Sequence, residues 1–189
     1  MWFVENLANN IGRVTPGGVV SEFPIVAANS SSTYIASGPD GNLWFAERSA
    51  NKIARIATTG VITEFPLVDS ASGPAGITAG LDGNLWFADF YGNKIGRITA
   101  AGNIMEFALP TADSHPSYIT AGPNGDLWFT ELLTSGGPKI GRITPDGAIT
   151  EFSVPLTVPS PSLESLVADA DGNLWAANNH DGEIVRITP

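Results

Sequence analysis

Only two histidines, His115 and His180, occur among the 189 residues. Histidine is the side chain that exchanges a proton near neutral pH at its ordinary pKa. Proton transfer or imidazole ligation of a metal by this chain would therefore centre on one of them. Glu164 is a carboxylate of the same loop class. Tyr34 and Tyr118 are aromatic groups that either stack on a ligand or fill the space where one would bind. Asp169-Ala170-Asp171-Gly172-Asn173 copies the opening of a calcium loop, but its glycine is misplaced and the twelfth position is His180 instead of Glu. That segment reads as a hairpin turn. No Ser-His-Asp arrangement, phosphate-binding loop or dinucleotide fingerprint is present, and the absence of cysteine excludes thiolate metal sites and disulfides.

The elements that must position these residues are set by an internal repeat, which decides the fold. Leu-Trp-Phe-x-acid stands at Leu43 to Glu47, Leu85 to Asp89 and Leu127 to Glu131, with degenerate copies at Trp2 to Glu5 and Leu174 to Asn178. The five Trp are 42, 42, 42 and 47 residues apart. Each is followed by a basic strand led by Ile11, Ile53, Ile95, Ile140 or Ile184. Glu-Phe follows at Glu22, Glu64, Glu106 and Glu151. A short strand around Ile35, Ile77, Ile119 or Leu166 precedes the next Trp. Asp-Gly or Asn-Gly pairs supply the positive φ that tight hairpins require. Four short strands per 42 residues is the spacing of a β-propeller blade. The expected fold is all-β, a propeller array of about 4.5 four-stranded blades over 1–189. We label the strands A (before the Trp), B (Trp), C (Ile-x-Arg) and D (Glu-Phe). Each Trp is expected to pack between neighbouring blades.

Most of the charge belongs to this repeat. Of nine Lys and Arg, five are the strand C arginines and three are Lys52, Lys94 and Lys139, leaving Arg48 alone outside it. Cations spread around a ring do not make a phosphate-binding groove, and the formal charge is −10, so nucleic acid is not an expected partner. Glu5, Glu47, Asp89 and Glu131 recur once per blade. The fifth blade loses the acid (Asn178) and the base (Glu183) together, which predicts a structural ion pair across strands B and C.

Leu-Trp-Phe-x-Glu, Asn-Lys-Ile-Gly-Arg-Ile-Thr, Ile-Thr-Glu-Phe and Ile-Thr-Ala-Gly-Pro-Asn-Gly, recurring in order, closely resemble the virginiamycin B (streptogramin B) lyases. The resemblance covers the whole chain and implies a seven-bladed propeller. It also implies a Mg²⁺-assisted elimination that opens a cyclic depsipeptide ester. Carried over blade by blade, the two histidines of that pattern fall on Ser117 and Glu164. The metal-holding Glu falls on Ser162, and a further acid on Asn178 or Asn179. A hydroxyl or amide cannot replace an imidazole base or an anionic ligand. The resemblance therefore points to a non-catalytic binding or assembly scaffold with no cofactor, and Mg²⁺ enters only if the lyase alternative holds.

In such a propeller the D–A and B–C loops share the face that the family uses. The repeat-breaking residues there include Tyr34, Arg48, Phe90, Tyr91, His115, Ser117, Tyr118, Glu164 and His180. We take Tyr34, His115, Ser117, Tyr118, Glu164 and His180 as candidates for binding a small molecule or peptide. By sequence the chain divides into a B–C hairpin (1–15) and four D-A-B-C units (19–189). It reads as the C-terminal part of a longer propeller, a small closed ring, or a protomer completing its sheets with a partner. Val19 to Phe23 could supply a D strand to the last blade, and a homodimer is the favoured assembly. No apolar run is long enough to span a membrane, and no signal peptide is legible. The expectation is a soluble protein, cytoplasmic or secreted.

Overall fold

The computed structural model describes all residues except 133–136, 155–162, 170, 179–181 and 189. Eighteen strands form five antiparallel sheets, with no helix among the described residues. The first sheet is β1 (Trp2–Glu5), β2 (Asn10–Val14) and β3 (Val20–Pro24). The second is β4 (Ile35–Ser37), β5 (Leu43–Glu47), β6 (Lys52–Ile56) and β7 (Ile62–Pro66). The third is β8 (Pro74–Ala79), β9 (Leu85–Asp89), β10 (Lys94–Ile98) and β11 (Ile104–Ala108). The fourth is β12 (Pro116–Ala121), β13 (Leu127–Glu131), β14 (Lys139–Ile143) and β15 (Ile149–Ser153). The fifth is β16 (Leu163–Ala168), β17 (Leu174–Asn178) and β18 (Glu183–Ile187).

Hydrogen bonding groups the strands differently from the D-A-B-C cut of the sequence. Strand β3 pairs with β2, Gly12 opposite Glu22, so Val20–Pro24 closes the first blade and is not available to the last. The reason is local: a short turn joins each C strand to the D strand after it, and a hairpin forms at far lower entropic cost than a distant pairing. The sheets therefore run B-C-D, three times A-B-C-D, and A-B-C.

The core lies between blades. Trp44 packs with Ile77, Leu85, Phe87 and Ile98 of the following blade. Trp86 meets Ile119, Leu127, Phe129 and Ile143 in the same way, and Trp128 meets Leu166, Leu174 and Ala176. Each of these Trp rings lies beside the strand D Phe of its own blade, stacked in the middle blades, with centroids 5.4 Å apart for Trp44–Phe65 and 5.7 Å for Trp86–Phe107. The strand C guanidinium covers both rings, Arg97 at 5.5 Å from Trp86 and 5.9 Å from Phe107. It then reaches across to the next blade: Arg55 donates to the Ala100 carbonyl (3.0 Å) and Arg97 to that of Pro145 (2.9 Å). One arginine thus fastens its own sandwich and the adjacent blade.

Inside a blade, Phe87 lies flat over Gly96, where a Cβ would come within 2.0 Å of the ring. In the fifth blade the pair is inverted, with Ala176 opposite Val185. The volume removed from one strand is restored on the other, which is how close packing tolerates a change of residue.

Candidate functional site

The loops of the D–A and B–C face are held by an asparagine repeat. Asn9, Asn51 and Asn93 sit in the B–C turns at φ 57°, 58° and 55°, the left-handed region that Asn tolerates better than other side-chain-bearing residues. From there the side chain grips the following D–A loop. Asn93 donates to the Thr111 carbonyl (2.9 Å) and accepts from the Ser114 N–H (2.8 Å). Asn9 accepts from the Ser30 N–H (2.9 Å) and donates to the Ala27 carbonyl (2.9 Å). Sequence reasoning passed over these residues, although their 42-residue spacing was a readable signal.

Under the loops lie the strand B acids. Glu47, Asp89 and Glu131 are fully buried. Asp89 accepts from the Gly73 N–H (2.7 Å) and the Gly92 N–H (3.2 Å). Both carboxylate oxygens of Glu47 and of Glu131 lack a hydrogen-bond partner. The Ser114 hydroxyl lies near Glu131 but donates to the Thr111 carbonyl (2.8 Å). Burial pushes both glutamates up to about 7.

This corrects the ion pair expected across strands B and C. Lys94 pairs with Glu106 (3.0 Å) and Lys139 with Glu151 (2.8 Å), both on strand D, and Lys52 pairs likewise with Glu64. Lys52 is directly opposite Glu47 in register, yet its ammonium goes to the diagonal acid. There it stays partly hydrated, whereas joining Glu47 would strip water from both charges.

Strands β8, β12 and β16 carry a bulge at the end nearest these loops. Bulges re-aim side chains, and the one between Pro116 and Ile119 contains Ser117 and Tyr118. Tyr118 meets Tyr34 edge to face, centroids 5.2 Å apart, although the two belong to blades separated by a third. The intervening strand β8 has Gly76 at this level, where a Cβ would lie 2.5 Å from the Ser117 carbonyl. Burial and the neighbouring Tyr118 hydroxyl hold the Tyr34 phenol well above its ordinary value. The negative charge of Glu164 acts in the same sense and Arg48 against it. Tyr34, Tyr118 and Glu164 are thus brought together. Ser117 is nearly buried and Glu164 exposed.

His115 belongs to a second group. It stands at φ 53°, and its Nδ1–H donates to the Asp113 carbonyl (2.9 Å), which leaves Nε2 as the free nitrogen. Its ring lies 4.8 Å from that of Phe90, and the Arg48 guanidinium is 4.1 Å from the Phe90 centroid and 5.0 Å from that of Tyr91. Loops of three successive blades are joined in this way through cation–π and ring contacts. His180, Ser162 and Asn179 lie outside the described residues. No group of three His, Asp or Glu suited to a metal occurs among the described residues. Ser117 and Glu164 offer one exposed carboxylate and one nearly buried hydroxyl. Of these two, only the Glu164 carboxylate is an anionic oxygen donor of the kind Mg²⁺ takes.

Five Trp-centred blades and a loop face lined by aromatic and charged groups define an incomplete β-propeller with one structured loop face. The model of the virginiamycin B lyase family matches residues 1–187, and the chain belongs to that family. It is similar to a virginiamycin B lyase from Staphylococcus aureus solved as a catalytically inactive variant with quinupristin: TM-score 0.90, 42% identity, 100% of this chain and 62% of that one. A streptogramin B lyase structure gives TM-score 0.89 and 39% identity over 98% of this chain and 60% of that one. The chain thus spans about three fifths of the length of these lyases. A gluconolactonase from Xanthomonas campestris, at 17% identity and TM-score 0.72 over 100% of this chain and 71% of that one, shares the fold. A search of curated protein sequences gave no significant match.

Proposed function

We propose that the chain is a ligand-binding propeller module of the lyase family, taking a small molecule or peptide on the D–A/B–C face, and that it does not open cyclic depsipeptides. The observation that supports this reading is the chemistry at the two positions matched to the family's histidines. Ser117 is a nearly buried hydroxyl in a bulge, and Glu164 is an exposed carboxylate. Neither side chain is an imidazole, the group whose ordinary pKa lets it exchange a proton near neutral pH. The described histidine, His115, is fixed on Phe90 by its ring contact and by Asp113. What remains on this face is a platform: the Tyr34–Tyr118 pair with Glu164 beside it, and Arg48 over Phe90. Rings of this kind supply large contact area at low conformational cost.

A second reading, Mg²⁺-dependent lyase activity, is favoured by the 42% identity to the S. aureus enzyme. Incubating the chain with quinupristin and Mg²⁺, followed by chromatography and mass spectrometry, separates the two. Our reading expects no linear product, together with quenching of tyrosine or tryptophan emission that Tyr118→Ala weakens at least several-fold. Linear product formed at a rate that chelator abolishes would overturn it.

A further inference from the structure

Arg48 stands apart from the repeat in its contacts as well as in the sequence. The strand C arginines of blades one to four each reach a carbonyl or a carboxylate. Arg13 donates to the Thr58 carbonyl (3.1 Å), Arg55 and Arg97 donate to those of Ala100 and Pro145, and Arg142 lies 3.9 Å from Asp126. Lys52, Lys94 and Lys139 each pair with a strand D glutamate. The Arg48 guanidinium makes no hydrogen bond and no ion pair among the described residues, in a chain with nineteen acids. What it contacts is two rings, Phe90 at 4.1 Å and Tyr91 at 5.0 Å from the centroids.

Those rings are braced. Phe90 and Tyr91 meet edge to face with centroids 5.0 Å apart, and the His115 ring lies against Phe90. Tyr91 also packs on Gly73, where a Cβ would lie 2.4 Å from the ring. A guanidinium held over a fixed ring has given up part of the rotamer freedom of a long side chain before any ligand arrives. Its five N–H donors lie in the guanidinium plane, and none is taken up by the protein. Arg48 is half-buried, so this fork is held by the fold and still open to a ligand.

A planar fork of donors matches a carboxylate oxygen by oxygen. Phosphate also accepts from arginine, but its two charges are usually met by several cations or by a helix N-terminus. The lysines of these blades are already paired, no helix occurs among the described residues, and the formal charge is −10. A single negative charge suffers least in that field. The apolar half of the ligand is set by Tyr34. Burial and Tyr118 raise the Tyr34 phenol, Glu164 adds to the rise, and the Arg48 charge acts against it. Arg48 therefore lies within electrostatic reach of the half-buried Tyr34–Tyr118 pair. With Glu164 acting on the same phenol, a ring and not an anion belongs at the tyrosines.

We propose that Arg48 is the anion-binding residue of the loop face, and that the ligand is an aromatic monocarboxylate whose carboxylate takes the guanidinium fork while its ring rests on Tyr34 and Tyr118. This rests on the reading of that face as a ligand platform and names the class of ligand it takes.

Two probes test it, N-acetylphenylalanine and its neutral amide, titrated into the full ¹⁵N-labelled chain. Binding is followed at the Tyr118 N–H and at the Arg48 Nε–H, the latter assigned by its loss in Arg48→Met. The acid is expected to bind about three- to ten-fold tighter than the amide, the range of a bidentate ion pair that stays partly hydrated. Arg48→Met keeps an apolar cover on Phe90 and should abolish the preference. Arg48→Lys, which keeps the charge without the fork, should retain only part of it. Glu164→Gln should tighten the acid and leave the amide unchanged. Equal binding of acid and amide by the natural chain, a preference that survives Arg48→Met, or no saturable shift with the acid at millimolar concentration would overturn the proposal. An arginine that only clamps the loops would lower the urea midpoint in Arg48→Met and leave acid and amide equal throughout, which is the first of those results. If Tyr118→Ala still weakens quinupristin binding, such a result strikes the Arg48 subsite alone and the loop-face reading stands. Linear product from quinupristin strikes that reading whatever the ratio of acid to amide.

Discussion

Glu47 and Glu131 make stability fall as pH rises through the range where most proteins are near their best. Both are fully buried with neither oxygen hydrogen-bonded, and burial raises each from 4.5 to about 7. A carboxyl whose folded pKa lies above its unfolded pKa binds more protons folded than unfolded. Its ionisation penalty is absent below about pH 4.5, grows between pH 4.5 and 7, and is fully present above pH 7. A rise of that size corresponds to about 3 kcal/mol per group at about 1.4 kcal/mol per unit. Glu151, Asp40 and Asp82 are held below their ordinary values: hydrogen bonds, from Lys139, Thr111, Asn42, Asn84 and the two indoles, outweigh burial. They act in the opposite sense and only at lower pH, so the window from pH 5 to 8 reports the buried pair. The perturbation is the double variant Glu47→Gln/Glu131→Gln, which keeps shape and removes the titration. Urea unfolding of both proteins at pH 5, 6, 7 and 8 should show the variant gaining on the natural chain by several kcal/mol between pH 5 and 8. A difference in stability that stays constant across that range would refute the burial argument.

Trp86→Ala removes a fully buried ring from between two blades and should cost about 3–5 kcal/mol. Trp175→Ala, half-buried in the last blade, should cost clearly less in the same urea titration. Gly96→Val drives a side chain into the Phe87 ring and should destabilise by about 1–3 kcal/mol. Adding Phe87→Ala reproduces the Ala176–Val185 pairing and should recover much of that loss in a double-mutant cycle. Asn93→Gly keeps the φ of 55° accessible but loses the bonds to Thr111 and Ser114. A loss of about 1–3 kcal/mol and faster hydrogen exchange at the Ser114 N–H are expected, and unchanged exchange there would show that the loop is held by other means.

The fold is readable from the chain alone, because a 42-residue period lets a local pattern be checked against its own copies. Trp44, Trp86 and Trp128, the Asp-Gly hairpins and the strand C arginines were all legible for that reason, and Asn9, Asn51 and Asn93 carried the same signal unread. Hydrogen bonding decided how the strands group: Val20–Pro24 belongs to the first blade because its turn is short. The ion pairs were also settled in three dimensions. Register places Lys52 beside Glu47, but the solvation of the two carboxylates, one sealed and one at the surface, directs the ammonium to Glu64. The D–A/B–C loop face depended most on tertiary packing. Tyr34 and Tyr118 are 84 positions apart and meet only because Gly76 lets strands β8 and β12 close up between them. His115 stands at a left-handed backbone position that recurs at Ser31, 84 positions earlier, so the turn follows the repeat and only the ring contact with Phe90 is particular to His115. A repeat specifies what recurs. Residues that break it are placed by the particular neighbours they meet, and those exist only in the folded chain.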